Sequence, residues 1–337
     1  MQSSSPAPQR VALSILDLCP IVQGGTAAQA LQHSLLLAQL GERLGFRRFW
    51  LAEHHGMPGI ASAATAVVMA HVAAGTSTIR IGAGGVMLPN HSPLVIAEQF
   101  GTLESLHPGR IDLGLGRAPG SDPRTARALR RNLDTDADAF PQDVIELMTY
   151  LDAPDRQPVR AVPGAGLSIP IWILGSSLFG AQLAAALGLP YAFASHFAPG
   201  QLMDAIALYR AHFKPSARLA QPHVMLGVNV IAADTDDEAA LLATSIQQAF
   251  VNLRNGRPAP LPPPVAGYAD ALEAPQRAVL DSVLAVSAIG SPATVRQRLA
   301  EIVTRTQPDE LMVTAQVWDA AARRRSFELL AGVWPPG

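Results

Sequence analysis

Arg117 is the residue whose type and position best suit the binding of an anion. It follows residues 111–116, a largely apolar run without a periodic polar face that ends in Gly116. Such a run is typical of a buried parallel strand, and ligands bind at the carboxyl ends of such strands. The planar guanidinium of arginine holds phosphate through two hydrogen bonds, and a neighbouring glycine lets a ligand approach the backbone. We therefore predict a phosphate-bearing ligand at Arg117.

A second candidate anion site begins at Gly175, where another apolar run passes into Ser176, Ser177 and Gly180. A Gly-Ser-Ser sequence that opens a helix offers free backbone N–H groups, hydroxyls and the positive end of the helix dipole. The alternative is that Ser176 is an ordinary N-cap. Together with Arg117 on the neighbouring strand, these residues predict one phosphate site and hence a mononucleotide cofactor.

The sequence Glu53-His54-His55 follows the second apolar run. Adjacent side chains of a strand point to opposite faces, and no HxH or HxxxH spacing and no carboxylate partner at ligand spacing accompanies the histidines. The sequence therefore predicts no metal site. An imidazole that faces the mouth of a barrel can act as a general acid or base near neutral pH. The alternative is a structural histidine.

A glycine pair, Gly84-Gly85, closes the third run. Such a pair indicates either a β-bulge or a place where a planar ligand lies against bare backbone. Other side chains follow the strand ends and would face the same mouth, where each either contacts substrate or braces a loop. The candidate substrate-pocket residues are Asp17, Glu53, Met87, Asn90 and His196.

Eight short apolar runs alternate with amphipathic or alanine-rich segments along the chain. This alternation predicts an α/β fold, a closed eight-stranded parallel (β/α) TIM barrel, with the active site at the carboxyl ends of its strands. The predicted strands are 11–16, 46–52, 79–84, 111–116, 169–174, 191–195, 224–231 and 310–314. The predicted helices are 27–44, 62–74, 93–106, 142–151, 178–187, 200–213, 292–304 and 319–330.

One domain is predicted over residues 10–337, after a polar, flexible tail at 1–9. Two connections are too long for ordinary barrel loops: 118–139, and an insertion at 234–288 between strand seven and the last βα unit. The insertion contains the proline-rich loop 254–267. We expect this loop to form a mobile lid over the barrel mouth, the alternative being an ordinary surface loop.

The composition excludes several classes of protein. With 49% hydrophobic residues and a formal net charge of −2 over 337 residues, the chain has no basic footprint for nucleic acid or an anionic membrane. The longest apolar stretch, 61–74, is shorter than the roughly 18 residues that a membrane span needs. Cys19 is the only cysteine, so no intrachain disulfide can form and we expect a reducing, cytoplasmic compartment.

Four blocks of the chain resemble the bacterial luciferase-like flavin monooxygenases, in particular their non-luminescent oxidoreductases. The resemblance extends from the first strand to the last helix. It implies a barrel that binds reduced FMN, supplied by a separate NAD(P)H-dependent flavin reductase, and uses dioxygen to oxygenate a small organic substrate. It also favours a homodimer. The blocks are Glu53-His54-His55, residues 82–93, residues 107–120 and residues 188–197.

The resemblance also assigns roles to individual residues. His54 matches the family's catalytic histidine, and Gly84-Gly85 matches a non-prolyl cis peptide behind the isoalloxazine ring. Gly116 stands where the light-emitting enzymes have a reactive cysteine, and Ser176 replaces a glutamate, so light emission is not implied. The residues that match the phosphate site are Arg117, Ser176, Ser177 and Gly180.

Two other functions are compatible with the sequence. A deazaflavin-dependent dehydrogenase on the same barrel would transfer hydride and ignore dioxygen, and a non-catalytic protein would only bind or carry FMN. Oxygen uptake separates the three, because only the monooxygenase consumes oxygen together with a substrate. The identity of that substrate depends on the shape of the pocket, which emerges only in the fold.

Overall fold

Nine parallel strands form one sheet in the computed structural model, which describes residues 11–118, 123–129, 139–152 and 159–334. The strands are β1 (Ala12–Asp17), β2 (Arg48–Leu51), β3 (Arg80–Met87), β4 (Ile111–Gly116), β5 (Ile171–Gly175), β6 (Tyr191–Phe193), β7 (Val224–Ala232), β8 (Ser287–Gly290) and β9 (Glu310–Thr314). Strands β1 to β7 pair in chain order, and β9 closes the ring between β7 and β1. The predicted eight-stranded barrel is confirmed. Strand β8 pairs with β7 outside the ring.

Helices connect the strands. They are α1 (Ala27–Leu44), α2 (Thr65–Ala74), α3 (Pro93–Leu106), α4 (Pro123–Leu129), α5 (Phe140–Leu151), α6 (Leu178–Leu187), α7 (Leu202–His212), α8 (Asp236–Arg254), α9 (Ala274–Val283), α10 (Pro292–Thr306) and α11 (Ala320–Val333). A short 3-10 helix, Leu88–Asn90, follows β3. In the described part of the chain, none of the helices has both the length and the apolar character that a membrane crossing requires.

Local sequence signals set the ends of α1. The backbone N–H of Gln29 donates to the Thr26 hydroxyl (3.3 Å), and the Gln29 side chain accepts from the backbone N–H of Thr26 (2.9 Å). This capping box satisfies two donors that the helix itself leaves open. Gly45 ends α1 with a φ of 84°, a left-handed conformation that glycine adopts without strain.

Charged side chains fill the barrel at the amino ends of its strands. Arg48 donates from Nε to Oε1 of Glu310 (2.9 Å) and from Nη1 to Oδ2 of Asp112 (2.7 Å), and all three residues are buried. Further along the barrel, Trp50 and Trp172 pack edge to face with their ring centroids 5.3 Å apart. Because the fold's own side chains occupy this end, the space for a ligand lies at the carboxyl ends of the strands.

Several predicted boundaries differ from the structure. Strand β3 continues to Met87 instead of ending at Gly84, and β6 ends at Phe193. The insertion at 234–288 contains the extra helices α8 and α9, as predicted. Its last residues belong to β8, a strand that was not predicted because its Ser-Ala-Ile-Gly sequence is too short to be recognised. The predicted tail at 1–9 and residues 119–122 and 130–138 of the predicted long loop lie outside the described residues.

Candidate active site

The end of β4 and the start of α6 meet at Arg117. Gly116 pairs with Leu174 across β4 and β5, so the residues that follow these strands leave the barrel side by side. The guanidinium carbon of Arg117 lies 4.2 Å from the ring centroid of Phe179, in the first turn of α6. Among the ion pairs of the described residues, none joins Arg117 to a carboxylate. The positive charge of Arg117 is therefore held at a helix N-terminus without a carboxylate partner among the described residues.

The N-cap of α6 is Ser177. The alternative considered from the sequence, in which Ser176 is the N-cap, is therefore wrong. Ser177 has the extended backbone of an N-cap, but its side chain makes no capping hydrogen bond. The backbone carbonyl of Ser177 accepts from the Tyr191 hydroxyl (3.2 Å), which fixes the turn against β6. A Cβ at Gly180 would lie 3.3 Å from the Tyr191 ring, so glycine lets the helix pack closely there. The N–H groups and hydroxyls of this turn suit a phosphate.

The Gly84-Gly85 peptide is cis, as predicted. The pairing of β3 with β4 also shifts register between Ala83 and Val86, which is compatible with the β-bulge considered as an alternative from the sequence. A Cβ at Gly85 would lie 2.7 Å from the carbonyl oxygen of Gly114, which excludes a side chain there. Contact of this bare backbone with a planar ligand stays a prediction.

Gly116 and Gly175 also leave space beside Arg117. Among the described residues, a Cβ at Gly116 would have only the Val86 carbonyl oxygen within 4 Å, at 3.8 Å, and one at Gly175 would come no closer than 3.7 Å to the Cα of Gly180. Gly116 and Gly175 therefore form a strip of bare backbone beside Arg117. A ligand could approach the backbone closely there.

Two partly buried imidazoles, His54 and His196, follow β2 and β6 and so belong to the same mouth. Burial lowers the pKa of His54, an effect that the Glu53 carboxylate opposes. Burial also lowers the pKa of His196 to about 4, with a smaller contribution from nearby His54. Both rings are therefore neutral near pH 7, and a neutral imidazole can accept a proton or a hydrogen bond.

The backbone around His196 is built to hold its ring in place. The side-chain amide of Asn229 donates to the His196 carbonyl oxygen (2.6 Å). A Cβ at Gly227 would lie only 2.4 Å from Nδ1 of His196, so glycine provides the space for the ring. That Nδ1 is buried and has no hydrogen-bond partner within the described residues. A buried polar atom without a hydrogen-bond partner lowers the stability of the fold, and a ligand that forms a hydrogen bond with it would remove this penalty.

The neighbours of His54 in the chain form a separate cluster with His91. Oε1 of Glu53 lies 2.7 Å from Nε2 of His55 and 2.8 Å from Nε2 of His91. Burial would raise the pKa of the Glu53 carboxyl, but the two imidazoles hold it below its ordinary value. Sequence reasoning missed this cluster because 38 positions separate Glu53 from His91. Only the pairing of β2 with β3 brings them together.

The remaining predicted pocket residues have different surroundings. Asp17 is fully buried, and its Oδ1 accepts from Nη2 of Arg323 (2.7 Å) and from the backbone N–H of Cys19 (3.0 Å). This ion pair favours the interpretation of Asp17 as a residue that braces a loop. Met87 is buried at the end of β3, and Asn90 ends the 3-10 helix. A contact of any of these residues with substrate stays a prediction.

The proline-rich loop 254–267 lies against the segments that follow β1 and β2. Leu261 donates its backbone N–H to the carbonyl of Ile21 and accepts from the N–H of Gln23, both at 2.8 Å. The carbonyl oxygen of Ala259 comes within 2.5 Å of the position that a Cβ at Gly59 would take. The loop thus packs at the mouth, where a lid would be; its movement stays a prediction.

Comparisons with known proteins identify the family of this chain. A family model described as luciferase-like monooxygenase matches residues 13–309. A protein of Escherichia coli K12 named luciferase-like monooxygenase is 56% identical over 324 residues, which cover 96% of this chain and 97% of the relative. The crystal structure of apo-MsnO8 has a TM-score of 0.91 at 37% identity, covering 97% of this chain and 99% of that chain.

More distant solved structures share the fold alone. The oxygenating constituent of 3,6-diketocamphane monooxygenase from Pseudomonas putida, solved with FMN, is 18% identical with a TM-score of 0.69, covering 96% and 97% of the two chains. An F420-dependent secondary alcohol dehydrogenase is 14% identical with a TM-score of 0.66, covering 96% and 99%. The barrel is therefore found with either cofactor. The family model and the close relatives show that this chain belongs to the luciferase-like monooxygenase family.

Proposed function

We propose that this chain is the oxygenating component of a two-component, FMN-dependent monooxygenase that acts on a small organic substrate. The observation that carries the proposal is Arg117, held over Phe179 at the uncapped start of α6 and next to the strip of glycines. This arrangement suits a phosphate joined to a flat ring. The family adds oxygenation as the reaction class.

Reduced FMN, when bound, would supply the electrons that activate dioxygen. Arg117 and the N–H groups of the first turn of α6 would hold its phosphate, because a cation and a helix N-terminus both favour a dianion. Gly116 would leave room for the ring system, and the backbone of Gly84 and Gly85 would lie behind it. The protein would thereby fix the position of the cofactor at the carboxyl ends of the strands.

His54 would move the proton that oxygen transfer requires. Burial keeps the pKa of its imidazole below the ordinary value, so the ring is neutral near pH 7 and can take a proton from substrate and return it later. His196 would bond through its unpaired Nδ1 to a polar group of the substrate. Met87 and the proline-rich loop would keep bulk water away, which protects reactive oxygen species from wasteful decay.

The proposal includes partners and a location. A separate NAD(P)H-dependent flavin reductase would supply the reduced FMN, either through transient contact or by diffusion. Both proteins would be located in the cytoplasm. The oxygenase itself would be a homodimer. These statements follow from the resemblance of the sequence to flavin monooxygenases.

Oxygen uptake with mass spectrometry tests the reaction. The purified chain is mixed with an FMN reductase, NADH, FMN, labelled dioxygen and a panel of small organic compounds. We expect one labelled oxygen atom in a product that requires FMN, chain and compound together.

The two alternative functions, a deazaflavin-dependent dehydrogenase and a flavin carrier, predict no labelled product in that assay. A deazaflavin-dependent dehydrogenase, a possibility favoured by the F420-dependent fold relative, would oxidise an alcohol with F420 and consume no oxygen. A flavin carrier would bind FMN yet yield only peroxide, at the rate of the free reduced cofactor. Either result would contradict the proposal.

A further inference from the structure

A cluster at the rim of the barrel mouth combines the ligand types of a divalent metal site. Glu53 and His55 come from the segment after β2, and His91 comes from the turn after β3. The ligand atoms of these three residues all lie within 4.8 Å of one another. Two imidazoles and one carboxylate are a recurrent ligand set for zinc and other first-row divalent metals.

Glu53 differs from the other buried carboxylates of the described residues in what balances its charge. Asp17, Asp112 and Glu310 each pair with a buried arginine at 2.7 to 2.9 Å. Glu53 is only 3% exposed, and within the described residues its ion-pair partners are two imidazoles. A buried carboxylate needs compensation by positive charge or by hydrogen bonds. A divalent cation bound between the carboxylate and the two imidazoles would compensate its charge.

We propose that Glu53, His55 and His91 bind one divalent transition-metal ion of the zinc or cobalt type. Each imidazole would bind through the Nε2 lone pair, with its proton on Nδ1, and Glu53 would bind through a carboxylate oxygen. Any Nε2 proton would pass to solvent, and no group would be oxidised or reduced. Metal–ligand distances of about 2.0–2.2 Å place tetrahedral donors about 3.3 Å apart, so the present contacts need to open by about 0.5 Å.

The site is open on one side and distinct from the proposed catalytic centre. His55 and His91 keep 15% and 27% of their side chains exposed, which leaves a coordination position for water. His54 lies between Glu53 and His55 in the chain but does not belong to the group of ligand atoms formed by Glu53, His55 and His91 among the described residues. Bound metal would link the segment after β2 to the turn before α3. We therefore expect it to raise thermal stability.

The test uses tag-free protein that has been dialysed against a chelator. It is titrated with Zn²⁺ by calorimetry and with Co²⁺ by visible spectroscopy. We expect one equivalent of each metal, d–d absorption of tetrahedral intensity for cobalt, and a higher Tm with zinc. His91→Ala should weaken zinc binding by at least about a hundredfold, because it removes one of three protein ligands.

Two further variants separate metal binding from folding. His91→Gln keeps a side chain that can donate a hydrogen bond to Glu53 but is a poor ligand, so it should fold and lose the metal. His71→Ala removes an exposed histidine on α2 and should bind zinc like the parent.

Two results would overturn the proposal: no stoichiometric zinc in the parent, or unchanged binding by His91→Gln. The cluster would then be a hydrogen-bonded clasp. No flavin is present in these measurements, so their failure is independent of the proposed monooxygenase function.

Discussion

The guanidinium of Arg117 lies over the aromatic ring of Phe179, 4.2 Å from its centroid. The contact joins the end of β4 to the first turn of α6, two elements that the chain separates by more than sixty positions. Because the ring attracts the cation through its π-face, the charge is held beside the free N–H groups of the helix. A phosphate would therefore meet both sources of positive charge at one point.

The Arg117→Ala variant should bind FMN about tenfold to a few hundredfold more weakly than the parent. Loss of a charge-assisted, two-point contact to phosphate costs about 1.5–3 kcal/mol, which corresponds to that range. Equilibrium dialysis measures the effect. Riboflavin, which has no phosphate, should bind both proteins equally, and Arg296→Ala, an exposed arginine on α10, should behave like the parent. Parental FMN affinity in Arg117→Ala would mean that the phosphate binds elsewhere.

The His54→Ala variant should bind reduced FMN almost normally yet form far less oxygenated product. Acid–base assistance is worth about a hundredfold to ten-thousandfold in rate, whereas loss of a packing histidine lowers stability instead. Product and hydrogen peroxide are measured in the same reaction, and we expect peroxide to rise as product falls. An unchanged ratio of product to peroxide, with a lowered Tm, would return His54 to a structural role.

The barrel was predictable because each of its eight strands is a separate apolar run followed by a helix-forming segment. Strand β8 was not, because Ser287–Gly290 is short and its pairing with β7 depends on the fold around it. The continuation of β3 to Met87 was also missed. Glycine lowers the strand signal, and only the paired neighbour β4 shows that the strand goes on.

The candidate site was predictable where its residues follow strands directly, as Arg117 and His54 do. It was not predictable where side chains from distant segments meet. The packing of elements that are far apart in the chain sets the contact of His91 with Glu53, the ion pair of Asp17 with Arg323 and the space that Gly227 leaves. No local pattern in the sequence carries that information.

The free energy of unfolding should depend on pH through the carboxyl group of Glu42. Its carboxylate accepts from the backbone N–H groups of Ser77 (2.8 Å) and Ile79 (2.9 Å), among others. Burial would raise its pKa, but these hydrogen bonds lower the pKa to about 2. A lowered folded-state pKa contributes stability that is present above the unfolded pKa and is lost as pH falls toward 2.

The Glu42→Gln variant should therefore be less stable than the parent at pH 7, by about 1 kcal/mol for a partly exposed group. The difference should shrink as pH falls from about 4.5 toward 2. Urea unfolding at several pH values measures it. A difference that stays constant over this range would show that the charge of Glu42 contributes nothing.

The Gly227→Ala variant should act on catalysis through His196. Its new Cβ would stand 2.4 Å from Nδ1, so the imidazole must leave its place, while Arg117 and α6 are untouched. We expect product formation to fall about tenfold to a hundredfold, as in His196→Ala, with FMN affinity within about twofold of the parent. Because both changes remove the same imidazole from the mouth, the double variant should be no worse than either single one. Additive losses would instead assign the effect to the backbone of Gly227, whose carbonyl accepts the Ser195 hydroxyl at 2.6 Å.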